Sequence, residues 1–179
     1  AVGSVVDDSE LFRRGIGLQI FGIILAVISA TFFAAFVQVT NLVPPGLDPL
    51  SLSEVEERLS PSVLSLAVAL GAGVAGAVSL MTGVSSALVG VMIAVALIPP
   101  AATAGIGIAY GDPALAVGSA VLVAVNVLSI NLAALIVLWY GGYRPEQFFR
   151  HDRAKIATLK RVVVLVGAIA LLSLFLGGV

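Results

Sequence analysis

Residues 90–107 read GVMIAVALIPPAATAGIG, an uncharged apolar stretch interrupted by two consecutive prolines. It lies inside a run from 84 to 110 that holds no Asp, Glu, Lys or Arg. That run exceeds the ~20 mostly apolar residues a helix needs to cross the hydrocarbon core of a bilayer. Its centre is unusual. Pro99 and Pro100 lack a backbone N–H, and each ring clashes with the carbonyl four residues back. The carbonyls of Val95 and Ala96 therefore lose their helical donors, and Ile98 is pushed toward an extended backbone. Thr103, Gly105 and Gly107 follow within a turn or two. The sequence predicts two half-helices with a break at Pro99-Pro100, rather than one continuous span.

Working outward, four more charge-free apolar runs appear at 15–39, 61–81, 114–140 and, shorter, 162–179. A charge near the membrane centre costs at least about 2.5–3.5 kcal/mol on insertion scales, which accounts for its absence from every run. The fold class is therefore all-α, a polytopic transmembrane bundle of about five spans. Residues 1–179 read as a single transmembrane domain. The composition agrees: 60% of the residues are hydrophobic and 11% charged, against roughly 45–50% and about 25% in soluble domains. A soluble fold could not cover so much apolar surface with so few charges; the lipid bilayer is the implied partner. Net charge is −1, which gives no case for nucleic acid. There is no cysteine, so disulfides and thiolate metal sites are excluded. The chain starts at Ala1 without the pattern of a signal peptide, and it reads as part of a longer protein.

Charges outside the runs give a direction. Arg13 and Arg14 precede the first run, and Arg144, Arg150, Arg153, Lys155, Lys160 and Arg161 lie between the fourth and fifth. Arg58 falls in the loop with Asp48, Glu54, Glu56 and Glu57. Alternate crossing puts eight of the nine basic residues on one side. The expected topology in the cell membrane has the N-terminus and residues 141–161 cytoplasmic, with 41–60 and the C-terminus outside. Within 141–161, Pro145 can open a helix, Phe148, Phe149, Ile156 and Leu159 give a partly one-sided apolar pattern, and Trp139, Tyr140 and Tyr143 mark the headgroup level. Both a helix lying in the membrane interface and a solvated basic loop fit this segment. His151 sits among its charges as a solvated residue, not a ligand.

The chain also resembles itself. Asp8-Ser9-Glu10-Leu11 before the first run matches Asp112-Pro113-Ala114-Leu115 before the fourth, each an Asp-led turn ahead of a Gly- and Ala-containing span. Three spans separate the copies, so they enter the membrane from opposite sides, as in an inverted repeat of three-helix units.

Chemistry can sit in few places. The fourth run carries Ser119, Asn126, Ser129 and Asn131. Spacings of seven and three put Ser119, Asn126 and Ser129 on one helix face, while Asn131 points elsewhere. An amide in hydrocarbon needs a partner, so this face looks inward. It can pair with the proline-disturbed span and form a neutral site of carbonyl, amide and hydroxyl oxygens, as broken helices do in many secondary transporters. Alternatively, the same residues are interhelical glue at about 0.6 kcal/mol per bond, and the prolines a plain kink. The candidate substrate- or ion-binding set is Val95, Ala96, Ile98, Pro99, Pro100, Thr103, Ser119, Asn126 and Ser129. The second run has small residues four apart at Ala69/Gly73, Ala72/Gly76 and Gly73/Ala77, which let backbones approach. Such faces also allow a homo-oligomer. No Ser-His-Asp, zinc or paired-carboxylate arrangement lies within the runs, so no enzymatic role, metal or cofactor is indicated.

The stretch from Ser60-Pro61-Ser62 through ALGAGVAGAVSL, and then SSALVGVMIAVALIPPAATAGIGIAYGDPALAVGSAVLVAVNVLSI, resembles the membrane family called domain of unknown function 389, hydrophobic-domain proteins of bacteria and archaea. The resemblance covers residues 4–138. In that family an earlier span with a Ser-Pro-Leu-Met-Gly-Pro-like motif precedes a turn similar to residues 8–14; that segment is absent here. The resemblance implies a fragment of the later membrane half, and it implies no substrate. Two functions remain open on these residues. One is a secondary transporter or channel for a small solute or ion, with its site at the broken span against the Asn126 face. The other is a non-transporting scaffold or sensor that anchors a soluble domain lying outside this chain.

Overall fold

A computed structural model of the chain describes residues 9–43, 63–142 and 162–172, and among them there is no strand. Among the described residues four helices are long and apolar enough to cross a membrane: α1 (Ser9–Val39), α2 (Val63–Thr82), α3 (Ser86–Tyr110) and α4 (Pro113–Tyr140). A shorter apolar helix, α5, spans Val162–Leu172. The all-α membrane bundle expected from the sequence is the fold observed. The acidic loop at 44–62, the basic stretch at 143–161 with its candidate interfacial helix, and residues 173–179 lie outside the described residues.

Local chemistry explains where the helices stop. After α2, Gly83 adopts a left-handed φ of 74°, and the Val84 N–H donates back to the Ser79 carbonyl at 3.0 Å. After α3, Gly111 does the same at φ 69°, with the Asp112 N–H on the Gly107 carbonyl at 2.8 Å. Both are left-handed helix caps that a side chain would strain. Asp112 then begins the next helix: its Oδ1 accepts from the Leu115 N–H at 3.0 Å, and Pro113 follows at the first helical position. Gly111-Asp112-Pro113 is thus a complete reversal between two spans, as its sequence predicts. At the start of α1, Glu10 and Arg14 form an exposed ion pair of 2.7 Å.

Close contacts fix how the helices run. Gly107 of α3 lies against Ala116 of α4, and further along the Asn126 side chain reaches Ala96, so α3 and α4 are antiparallel. Gly73 of α2 lies against Ile130 and Ala133 of α4, and Met81 against Gly141, so α2 and α4 are parallel. Gly105 of α3 meets Val27, Ala30 and Thr31 of α1, while Gln19 of α1 bonds Asn131 of α4, so α1 runs with α3. Consecutive helices from α1 to α4 therefore alternate in direction. The Arg13-Arg14 start of α1 and the Tyr140 end of α4 share one end of the bundle.

Burial grades from the centre outward. Half of the most apolar window of α4 is buried, against 6% of that of α1. Helix α4 is the post on which α2 and α3 pack, and α1 touches the rest along a stripe of Gln19, Ile23, Val27, Thr31 and Ala34. Phe32 and Phe33 on its other face are mostly exposed, which in a bilayer means lipid contact rather than exposure to water.

A Cβ at residue 73 would come within 2.9 Å of the Ala133 Cβ and closer still to the Ile130 carbonyl, whereas one at residue 71 meets nothing within 4 Å. Gly73→Leu is expected to destabilise the bundle by about 1–3 kcal/mol through forced separation of α2 and α4. Gly71→Leu should leave stability unchanged, both read by unfolding in detergent followed by circular dichroism.

Candidate functional site

The centre of α3 differs from its expectation in one respect. The helix runs as a single element through Pro99 and Pro100, without division into two half-helices. The physical reason lies on α4. The Nδ2 of Asn126 donates to the Ala96 carbonyl at 2.9 Å, in a fully buried setting. Ala96 is the residue four before Pro100, so its carbonyl is one that proline deprives of a helical donor. The amide of a neighbouring helix supplies that donor, and α3 keeps its path.

Around this bond lies a seam of polar side chains. Ser119 and Ser129 of α4 are fully buried, Asn126 is 2% exposed and Thr103 of α3 is 5% exposed. Pro100, Ala101 and Ala104 fill the α3 side between them. The Thr103 hydroxyl donates to the Pro99 carbonyl at 3.1 Å, and the Ser129 hydroxyl to the Val125 carbonyl at 2.7 Å. Two atoms in the seam are buried without a hydrogen-bond partner, Ser119 Oγ and Asn126 Oδ1. An unpartnered buried polar atom costs roughly 1–3 kcal/mol, so two in one seam stand out.

The structure thus brings Ala96, Pro100, Thr103, Ser119, Asn126 and Ser129 together between α3 and α4, with Pro99 half-buried beside them. It does not bring the Val95 and Ile98 side chains there. They are 63% and 55% exposed on the outer face of α3, because positions one and two residues from Ala96 and Pro100 turn away from α4. Asn131 points elsewhere, as its spacing predicts: its Nδ2 donates to the Val127 carbonyl at 2.8 Å and to Gln19 Oε1 at 3.4 Å. Gln19 escaped the sequence reading, although an amide within the first turns of the apolar run 15–39 was the available signal. Gly105 and Gly107 also have a role the sequence reading missed. They do not loosen α3; they are where α1 and α4 approach its backbone.

A cleft of about 990 Å³ opens between α1, α2 and α4, with Val89 and Ile93 of α3 and Val164 and Leu165 of α5 completing its wall. Its lining is almost wholly apolar, with Gln19 and Asn131 as its amides, and it includes none of Pro99, Pro100 or Asn126. The polar seam and the cleft are therefore separate features. Among the described residues, no cluster of three or more His, Asp or Glu could hold a metal ion.

With the fold and the seam in view, comparison with known proteins is informative. A family model described as domain of unknown function DUF389 matches residues 1–132. The chain belongs to the DUF389 family. The match ends within α4, past Asn126 and Ser129, so the whole seam of this DUF389 chain lies inside the family region. An uncharacterised protein of the archaeon Methanocaldococcus jannaschii is 32% identical over 133 residues, covering 73% of this chain and 42% of the relative. The chain thus spans less than half the length of the relative that it matches. No solved structure matches it.

The pairing of Pro100 with Asn126 makes a quantitative prediction. Asn126→Ala leaves the Ala96 carbonyl without its donor and should destabilise the bundle by about 0.6–1.7 kcal/mol. Pro100→Ala restores an N–H at that place in α3, so in its background Asn126→Ala should cost measurably less. A double-mutant cycle on unfolding in detergent reads the difference, with a coupling of about 1 kcal/mol expected. Ser119→Ala removes an unpartnered buried hydroxyl and should raise stability by about 1 kcal/mol in the same assay.

Proposed function

We propose that the chain is the membrane part of a secondary transporter or channel for a small solute or ion, and that the α3–α4 seam is its site. The observation that carries this reading is the pair of buried, unpartnered polar atoms, Ser119 Oγ and Asn126 Oδ1, beside a proline-disturbed span. Interhelical glue needs satisfied groups; atoms left over at a helix defect are what a passing solute can use. In the state observed, the seam is packed and the Asn126 amide closes over the Ala96 carbonyl. Passage requires the two helices to part there. The two missing helical bonds at Pro99 and Pro100 make this the softest point of α3. When Asn126 releases Ala96, a carbonyl, an amide and the Ser119 hydroxyl become available together. No catalytic step belongs to this function.

The inverted repeat and the orientation are part of the same proposal. Helices α1 and α4 run in opposite directions, as copies of an inverted unit must, and Asp112 caps α4 where Asp8, outside the described residues, precedes α1. The basic residues favour a cell-membrane topology with Arg13 and Arg14 cytoplasmic.

Proteoliposomes carrying the chain should take up solute from a broad panel of small ions and neutral compounds. Asn126→Ala should lower the rate at least about tenfold, the size expected when a binding group worth about 1.4 kcal/mol is removed. Absence of flux for every compound would favour the scaffold. Orientation has its own check, since the chain lacks cysteine. A single cysteine at Asn41 should react with an impermeant thiol reagent added outside intact cells, and one at Gly142 should react only after the membrane is opened.

A further inference from the structure

Resting on the site proposed above, we infer that the seam selects monovalent cations and rejects anions. The positions of the hydrogens set this preference. The Ala96 carbonyl can only accept, so the Asn126 amide must present its NH2 group to it, and the orientation of that side chain is fixed by chemistry. What remains is the second N–H and Oδ1; the oxygen can only accept, and it is buried without a partner. The other hydroxyls of the seam point the same way. Thr103 gives its hydrogen to the Pro99 carbonyl and Ser129 gives its own to the Val125 carbonyl. Both oxygens retain only lone pairs to offer. Among these side chains the hydrogens left to donate are the Ser119 hydroxyl and the second N–H of the Asn126 amide. The proline pair adds the Ala96 carbonyl as one more acceptor whenever Asn126 swings away, a movement that also releases the N–H bound to it.

An anion entering this seam would meet oxygen lone pairs on Asn126, Thr103, Ser129 and Ser119, two neutral donors and no positive charge. A cation would meet ligands of the right polarity. Divalent cations are bound through carboxylates, and the seam has none. Rings of neutral oxygens suffice for a monovalent ion, whose hydration shell they replace. The arrangement is a string rather than a cage. The register that sets Gly107 against Ala116 and Ala96 against Asn126 puts Thr103 level with Ser119. Asn126 lies about 10 Å further along α4 and Ser129 about 5 Å beyond that, from a rise of about 1.5 Å per residue. Several weak sites in line are what conduction of an ion requires.

The test uses the full 179-residue chain in vesicles and labelled rubidium, sodium, calcium, chloride, phosphate and a neutral sugar as probes. Rubidium or sodium uptake at least about tenfold above chloride, phosphate and calcium is the expected result, a preference of about 1.4 kcal/mol. Ser119→Ala should lower cation uptake while the protein unfolds no more easily, which separates a ligand from a structural hydroxyl. Asn126→Asp places a carboxylate in the seam and should admit calcium. Uptake of chloride, phosphate or sugar without rubidium or sodium overturns the cation inference and leaves the transport reading standing. Calcium uptake by the unmodified chain equal to that of rubidium also overturns it. No uptake of any probe overturns both.

Discussion

A membrane-spanning helix that contains two consecutive prolines must find replacement donors for two carbonyls, and in hydrocarbon there is no water to provide them. Here one replacement is the Asn126 amide, 2.9 Å from the Ala96 carbonyl. Much else in the bundle serves that bond. It requires α3 and α4 to be neighbours in a set register, which the tight Gly111-Asp112-Pro113 reversal secures. It requires the backbones to approach, which Gly107 against Ala116 permits. It requires a dry setting, supplied by the core of Ala69, Ala96, Leu97 and Ile130.

Small residues do the work that large apolar ones do in a soluble core. Lipid is as apolar as leucine, so burying leucine gains little inside a bilayer, and close backbone contact with its dispersion attraction holds the helices together. Gly73 against Ile130, Gly105 against Val27 and Thr31, and Gly107 against Ala116 are three such contacts, one for each principal helix pair. The large side chains of α1 accordingly point outward. The apolar cleft between α1, α2 and α4 follows from the same geometry: α1 is pinned to α3 at Gly105 and stands away from α2.

Membership of the DUF389 family rests on a match that includes the proline pair, the reversal and Asn126, but it carries no substrate with it. Function therefore has to be read from the seam. Its polarity leans one way: the Thr103 and Ser129 hydrogens and one Asn126 hydrogen are committed to backbone carbonyls, and more oxygens than hydrogens are left over. That asymmetry originates in the prolines, which create a need for donors on α3 and so dictate which end of the Asn126 amide faces α3.

From the sequence alone came the membrane class, the approximate extents of α2, α3 and α4, the reversal at 111–113 and the shared face of Ser119, Asn126 and Ser129. These depend on local quantities: hydropathy over a bilayer thickness, cap chemistry, and 3.6-residue periodicity. It also named the carbonyl that needed a partner and the amide that could serve. The tertiary structure decided the outcome. Whether α3 breaks depends on a donor thirty residues away, so local rules for proline predicted a break that the fold prevents. Likewise, only packing placed Val95 and Ile98 on the outer face and joined Gln19 to Asn131. Non-local partners are set by which helix lies alongside which, and in this chain that choice is made by close contacts at glycines rather than by any signal along one segment.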